Sequence, residues 1–124
     1  MSTVDLTAES FEQTVRDNPI VLVDFWAVWC APCHMFDPVY ATAAARHDDI
    51  VFGKVDTDAQ QQLAMDLGVR SIPTLLAFRD GRQVRSVSDV MPPRVLDKFI
   101  TDIRAIDMAH FGREPIDDIP ELDM

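Results

Sequence analysis

Two spacings of apolar residues run along the chain. Residues 20–27, IVLVDFWA, form a β-branched and aromatic run interrupted only by Asp24. Apolar side chains on both faces predict a strand inside a sheet that is covered on two sides. Residues 50–58, IVFGKVDTD, predict a second such strand. Around them the spacing widens to that of helices. Phe11 and Val15 lie four apart behind Thr7, a helix-capping residue, with Glu9 in the first turn and Pro19 as a stop. This predicts a short amphipathic helix. Residues 31–47 have helical composition with Pro38 inside, which predicts a kinked helix, not a broken one. Leu63 and Leu67 share one face of a further short helix that Gly68 ends. Residues 73–87, PTLLAFRDGRQVRSV, read as strand, Asp80-Gly81 turn, strand. After Pro92 and Pro93, the residues Val95, Leu96, Phe99, Ile100, Ile103 and Ile106 form the stripe of a last helix, from Arg94 to Met108.

A βαβ unit, a helix, a β-hairpin and a closing helix assemble as an α/β fold, a three-layer sandwich with a central mixed β-sheet flanked by helices. That domain is expected to fill residues 1–108, followed by an acidic C-terminal tail at 109–124. The last stretch, FGREPIDDIPELDM, sets five acids against one arginine, and its few apolar residues follow no period. An extended or disordered segment is expected there.

Composition narrows the function. The chain of 124 residues is one domain's worth, and 48% apolar with 26% charged residues is ordinary for a soluble globular fold. A formal net charge of −10 leaves nothing to displace phosphate counterions, so nucleic acid and anionic membrane are excluded as partners. The longest apolar stretch, PIVLVDFWAVWCAP, is too short to span a bilayer. The opening MSTVDLTAESFEQ has neither the basic start nor the apolar run of a secretory signal. A cytoplasmic monomer is expected.

Both cysteines sit in one window, WCAPCH, at 29–34. A bond between Cys30 and Cys33 closes almost no loop and adds little chain-entropy stability, so the pair points to chemistry. Cys30 falls where a buried strand gives way to a helix. The unpaired N–H groups and positive dipole end there favour thiolate over thiol, the attacking species in disulfide exchange. Cys33, one helical turn on and expected to be the more buried, is placed to attack Cys30 in turn. Pro32 between them restricts the backbone and removes a competing N–H, which is expected to make the dithiol more reducing.

Here the sequence resembles the thioredoxin family. VDFWAVWCAPC, 23–33, is similar to the family's active-site segment, with Ala31 where glycine is usual. SIPT, 71–74, resembles its cis-proline loop and FRDG, 78–81, its hairpin, while Lys54 and Pro38 also fall at family positions. The similarity runs from about residue 4 to residue 105. It implies a thiol-disulfide oxidoreductase that reduces protein disulfides through a mixed disulfide, needs no cofactor, and is recharged by a thioredoxin reductase or an equivalent thiol donor. Asp24 then corresponds to a buried acid whose raised pKa lets it take a proton from Cys33, with Lys54 as its charge partner. Trp29 corresponds to a partly exposed ring beside the dithiol, with Trp26 packed beneath. Pro73, if cis, aims the Ile72 backbone at a substrate strand.

Two positions depart from the family. His34 replaces a common lysine, and is either a solvent-facing helix residue or, when protonated, a charge that helps hold a nearby thiolate. Asp89 stands near a glycine of the substrate face, where a carboxylate narrows the range of partners or raises the Cys30 pKa. His47 and His110 suggest surface residues.

Other readings of the same residues compete with these. Cys-x-x-Cys-His is also the attachment signature of a c-type haem, with His34 as axial ligand. That reading leaves Asp24, Lys54 and the SIPT loop as coincidences. Two cysteines and His34 are too few and too close together for a zinc tetrahedron, so no metal is expected. The runner-up is a binding or chaperone-like module that docks partners partly through its acidic tail, with redox activity secondary.

Overall fold

The computed structural model of the protein describes residues 2–111. Its elements in chain order are β1 (Val4–Asp5), α1 (Ala8–Asp17), β2 (Ile20–Trp26), α2 (Ala31–Arg46), β3 (Val51–Asp56), α3 (Gln61–Asp66), β4 (Thr74–Arg79), β5 (Arg82–Val87) and α4 (Pro93–Ala105). The sheet order is β1-β3-β2-β4-β5. β1, β3 and β2 run parallel, and β4 and β5 are antiparallel to their neighbours. The strand with the purest apolar run, β2, lies in the centre, where both faces are covered.

Each face carries its own core. On one, Leu22, Leu75, Ala77 and Val84 pack against Phe36 and Tyr40 of α2 and Leu96, Ile100 and Ile103 of α4. On the other, Val21, Val23, Phe25, Leu76 and Phe78 pack against Phe11 and Val15 of α1 and Ala64 of α3. The alternation of β2 and β4 residues between the two clusters follows from the two-residue period of a strand. The mixed sheet flanked by helices is the expected three-layer sandwich.

Local signals account for the boundaries. Thr7 caps α1 by accepting the Ser10 N–H, while the Ser10 hydroxyl takes the Thr7 N–H in return. α2 continues through Pro38 without a break. Asp80 and Gly81 both have positive φ, 52° and 82°, as the tight β4–β5 turn requires. Gly53 serves a close approach: a Cβ there would fall 2.5 Å from Leu6 Cδ1, so its absence lets the residue after β1 fold over β3.

The structure adds to the expected elements and shifts others. β1 was not expected; it pairs with Gly53 and Lys54 on β3. α4 starts at Pro93 and ends at Ala105, three residues before Met108. Val95, expected in the apolar stripe of α4, is half exposed. Met108 and Phe111 pack against the core, and Arg82 donates to the Phe111 carbonyl at 2.8 Å, so residues 109–111 lie against the domain. The expected tail beyond them, 112–124, lies outside the described residues.

The outer strands are poor templates. β1 has two residues, and the pairing of β5 with β4 shifts register between Ala77 and Phe78 of β4, with exposed Arg82 and Arg85 of β5 on either side of the irregularity.

Tyr40 joins the core to the sheet: fully buried, it donates its hydroxyl to the Gly53 carbonyl at 2.8 Å. Burial first, and the Asp24 carboxyl second, push the Tyr40 pKa well above 10, so this group stays a donor at all working pH. Tyr40→Phe is expected to cost about 1 kcal/mol in urea denaturation, the usual worth of one such bond.

Candidate active site

Two elements meet at the cysteines. β2 ends at Trp26, and four residues later Cys30 caps α2 with φ −92° and ψ 102°, extended values that aim its sulfur at the first turn. The Cys33 N–H donates to Cys30 Sγ at 3.2 Å. This is an orphan helix donor directed at the sulfur that would carry charge as a thiolate. The two cysteines are joined by a disulfide, with Cα atoms 5.3 Å apart. Both are buried to nearly the same degree, so the expected difference between them is slight. Ala27, Trp26 and Ile72 pack around them. Pro32 stands in the first turn of α2, exposed, where its missing N–H leaves no intrahelical bond unmade.

The rim is held by hydrogen bonds. Trp29 is 70% exposed, and its indole N–H donates to Asp58 Oδ2 at 2.9 Å. Thr57 donates its N–H to the Trp26 carbonyl at 2.8 Å, tying the strand end to the next loop. Opposite lies a hollow of about 350 Å³ lined by Trp29, Thr57, Val69, Arg70, Ser71 and Ile72. The Ile72–Pro73 bond is cis and Pro73 is buried. Thr74 fixes this loop, with its hydroxyl 2.6 Å from the Ser71 carbonyl and 2.8 Å from Ser88 Oγ.

Asp24 lies in β2 on the sheet face that α2 covers, 1% exposed, and neither carboxylate oxygen has a hydrogen-bond partner among the described residues. Burial pushes its pKa from 3.8 up to about 7; Lys54 pulls it down and Asp37 adds to the rise. Lys54 sits across from Asp24 in the β2–β3 register, yet its ammonium forms its ion pair with Asp37 of α2. The expected Asp24–Lys54 pair is thus an interaction through space, not a bridge. Lys54 Nζ also lies 4.8 Å from the centre of the Trp26 ring.

His34 is exposed, with ring Nε2 2.7 Å from the Val28 carbonyl and its edge towards Trp26. That ring nitrogen is occupied as the donor to a backbone oxygen. Asp89 is exposed in the β5–α4 loop and accepts the Val90 N–H at 2.8 Å. It lines a different hollow, about 620 Å³, with Val90, Met91, Pro92, Val95 and Phe99 among its walls and neither cysteine. His47 lies 3.1 Å from Arg104 and stacks on Phe52, and His110 lies 2.7 Å from Asp107.

Sequence reasoning missed Asp37, Asp58 and Arg70. Asp37 left a trace, since it follows Cys33 by four residues and so lies one helical turn along the same side of α2. Asp58 and Arg70 left none, because loops bring them to the site. Among the described residues no group of three or more His, Cys, Asp or Glu is arranged to hold a metal ion, and no helix is long and apolar enough to cross a membrane.

Known proteins share this fold. The family profile described as Thioredoxin matches residues 2–102. A Streptomyces coelicolor protein that bears a thioredoxin name is 50% identical over 107 residues, which are 86% of this chain and 80% of the relative. Among solved structures, a thioredoxin variant from Halobacterium salinarum superposes with a TM-score of 0.79 at 35% identity, covering 85% of this chain and 93% of that one. Thioredoxin from Malassezia sympodialis gives 0.75 at 32% identity, covering 85% and 96%. With the Cys30–Cys33 pair in place at the head of α2, the chain belongs to the thioredoxin family and is a thiol-disulfide oxidoreductase.

Proposed function

We propose that the chain reduces disulfide bonds of other proteins, with Cys30 attacking and Cys33 resolving. In the reduced form the Cys30 thiolate attacks one sulfur of a substrate disulfide. That bond breaks, a mixed disulfide forms, and the first substrate sulfur leaves as thiolate. Cys33 loses its proton to Asp24 and attacks Cys30 Sγ. The mixed disulfide breaks, the second substrate sulfur leaves, and the Cys30–Cys33 bond holds the two electrons' worth of oxidation. A thioredoxin reductase or an equivalent thiol donor returns the electrons. The cytoplasm, where such a reducing supply is maintained, is the assigned location.

The observation that carries the order of attack is the Cys33 N–H directed at Cys30 Sγ from the helix end. Asp24 is assigned the proton because it is buried, has no hydrogen-bond partner among the described residues, and has a pKa pushed up to about 7. Ile72, beside the cysteines and ahead of Pro73, is assigned to hold the substrate backbone, with the exposed Trp29 ring as the apolar wall. Pro32 and His34 complete the rim. Asp89 is assigned only the outer margin of the binding face.

One experiment tests the order. Cys33→Ser incubated with a disulfide-bonded protein should accumulate a covalent adduct visible by intact mass, reversed by dithiothreitol. Cys30→Ser should give none. An adduct formed by Cys30→Ser alone would reverse the assignment.

A further inference from the structure

We infer that Asp37 is a positioning residue for the resolving half of the reaction: it holds the Lys54 ammonium on the α2 side and so leaves Asp24 without a bonded counter-ion among the described residues. The inference rests on the proton-accepting role proposed for Asp24.

The register gives the starting point. Asp24 and Lys54 are direct partners on parallel strands, so their side chains leave the same face of the sheet. Left to themselves, a carboxylate and an ammonium so placed form a bridge. Instead Lys54 bonds Asp37 Oδ1, rests over the Trp26 ring, and is mostly buried, while Asp37 is about half exposed. Lys54 is thus drawn towards the water-facing end of the ion pair.

The other groups around Asp24 do not supply a substitute. On α2, the Tyr40 hydroxyl is committed to the Gly53 carbonyl, His34 to the Val28 carbonyl, and Cys33 and Cys30 are the reacting sulfurs. On β4 the residue across from Asp24 is Leu75, without charge. On β1, Asp5 flanks Lys54 from the outer side of the sheet. Of the charges facing Asp24, Lys54 favours the carboxylate and Asp37 opposes it. Removing Asp37 takes away the repulsion and releases Lys54 towards Asp24. Both changes act in one direction, making Asp24 a stronger acid and a weaker base for the Cys33 thiol.

The test is a carboxyl-carbon NMR titration of Asp24 in the oxidised protein, which needs no turnover. Asp37→Ala should lower the Asp24 midpoint from about 7 by roughly one pH unit, about tenfold in proton affinity. Asp37→Glu, which restores the charge, should return it towards the wild-type value. A midpoint unmoved or raised in Asp37→Ala overturns the inference. So does a lowering that Asp37→Glu fails to reverse. The pH profile for release of substrate from the mixed disulfide should move down with the midpoint. If the midpoint falls while release keeps one profile in wild type, Asp37→Ala and Asp24→Asn alike, the proton-accepting role of Asp24 is what fails, and the electrostatic link stands.

Discussion

Cys30→Ser is expected to lower catalysed disulfide reduction by at least about a thousandfold, to the level of the free reductant. The loss is chemical. Serine is among the best residues for a helix cap, and its hydroxyl can accept the Cys33 N–H that now reaches the sulfur. The fold should therefore survive the change. The variant also lacks the Cys30–Cys33 bond, but a loop of so few residues constrains the unfolded chain little. What disappears is the thiol nucleophile, which a serine hydroxyl cannot replace in disulfide exchange. The measurement is turnover of a protein disulfide under excess reductant, with thermal melts as the control on folding. Residual activity above a tenth of wild type would show that another group begins the reaction. The binding-module reading would instead be favoured by partner affinity that is unchanged with both cysteines as serine.

Asp24→Asn should produce the second large effect, and its sign depends on pH. The Asp24 carboxyl titrates near 7 in the folded protein, against an ordinary value of 3.8. The native state therefore holds a proton that the unfolded chain gives up between those values. This group's contribution is fully present below about pH 4 and is lost as pH rises towards 7 and just beyond. The whole gap corresponds to about 4 kcal/mol, and the part between pH 5 and 8.5 to about 3 kcal/mol. Asparagine carries no such dependence. Its stability relative to wild type should thus improve by about 3 kcal/mol between urea titrations at pH 5 and pH 8.5. The same change removes the proposed acceptor for the Cys33 proton, and release of substrate at neutral pH should slow by about a hundredfold. A more stable, slower protein at high pH is the signature; equal pH dependence in both proteins would contradict the burial argument.

Much of the fold was legible because its signals are local or periodic. The double-faced run of β2, the Thr7 cap of α1 and the Asp80-Gly81 turn each state their outcome within a few residues. β1 was not legible. Val4 and Asp5 are both exposed, and they form a strand only because Gly53 and Lys54 offer a free edge. The site divides in the same way. The cysteine pair and Asp24 announce themselves by spacing and by a charge inside an apolar run. The partner of Lys54 does not, because register favours Asp24 while a helix packed across the sheet brings Asp37 within reach. The hydrogen bond of His34 to Val28 likewise depends on how the loop before α2 turns back, which no residue pattern encodes.

A thiol-disulfide oxidoreductase that acts on the chains of other proteins, as proposed, risks annealing to them. Sheet edges are where that happens, through rows of unpaired N–H and C=O groups. Here one edge is two residues long, and the other has an irregular register and exposed arginines. Such edges resist the growth of intermolecular sheets and the aggregation that follows. Under the proposed function, contact with an extended substrate is left to the Ile72 loop beside the cysteines, where it leads to exchange and release.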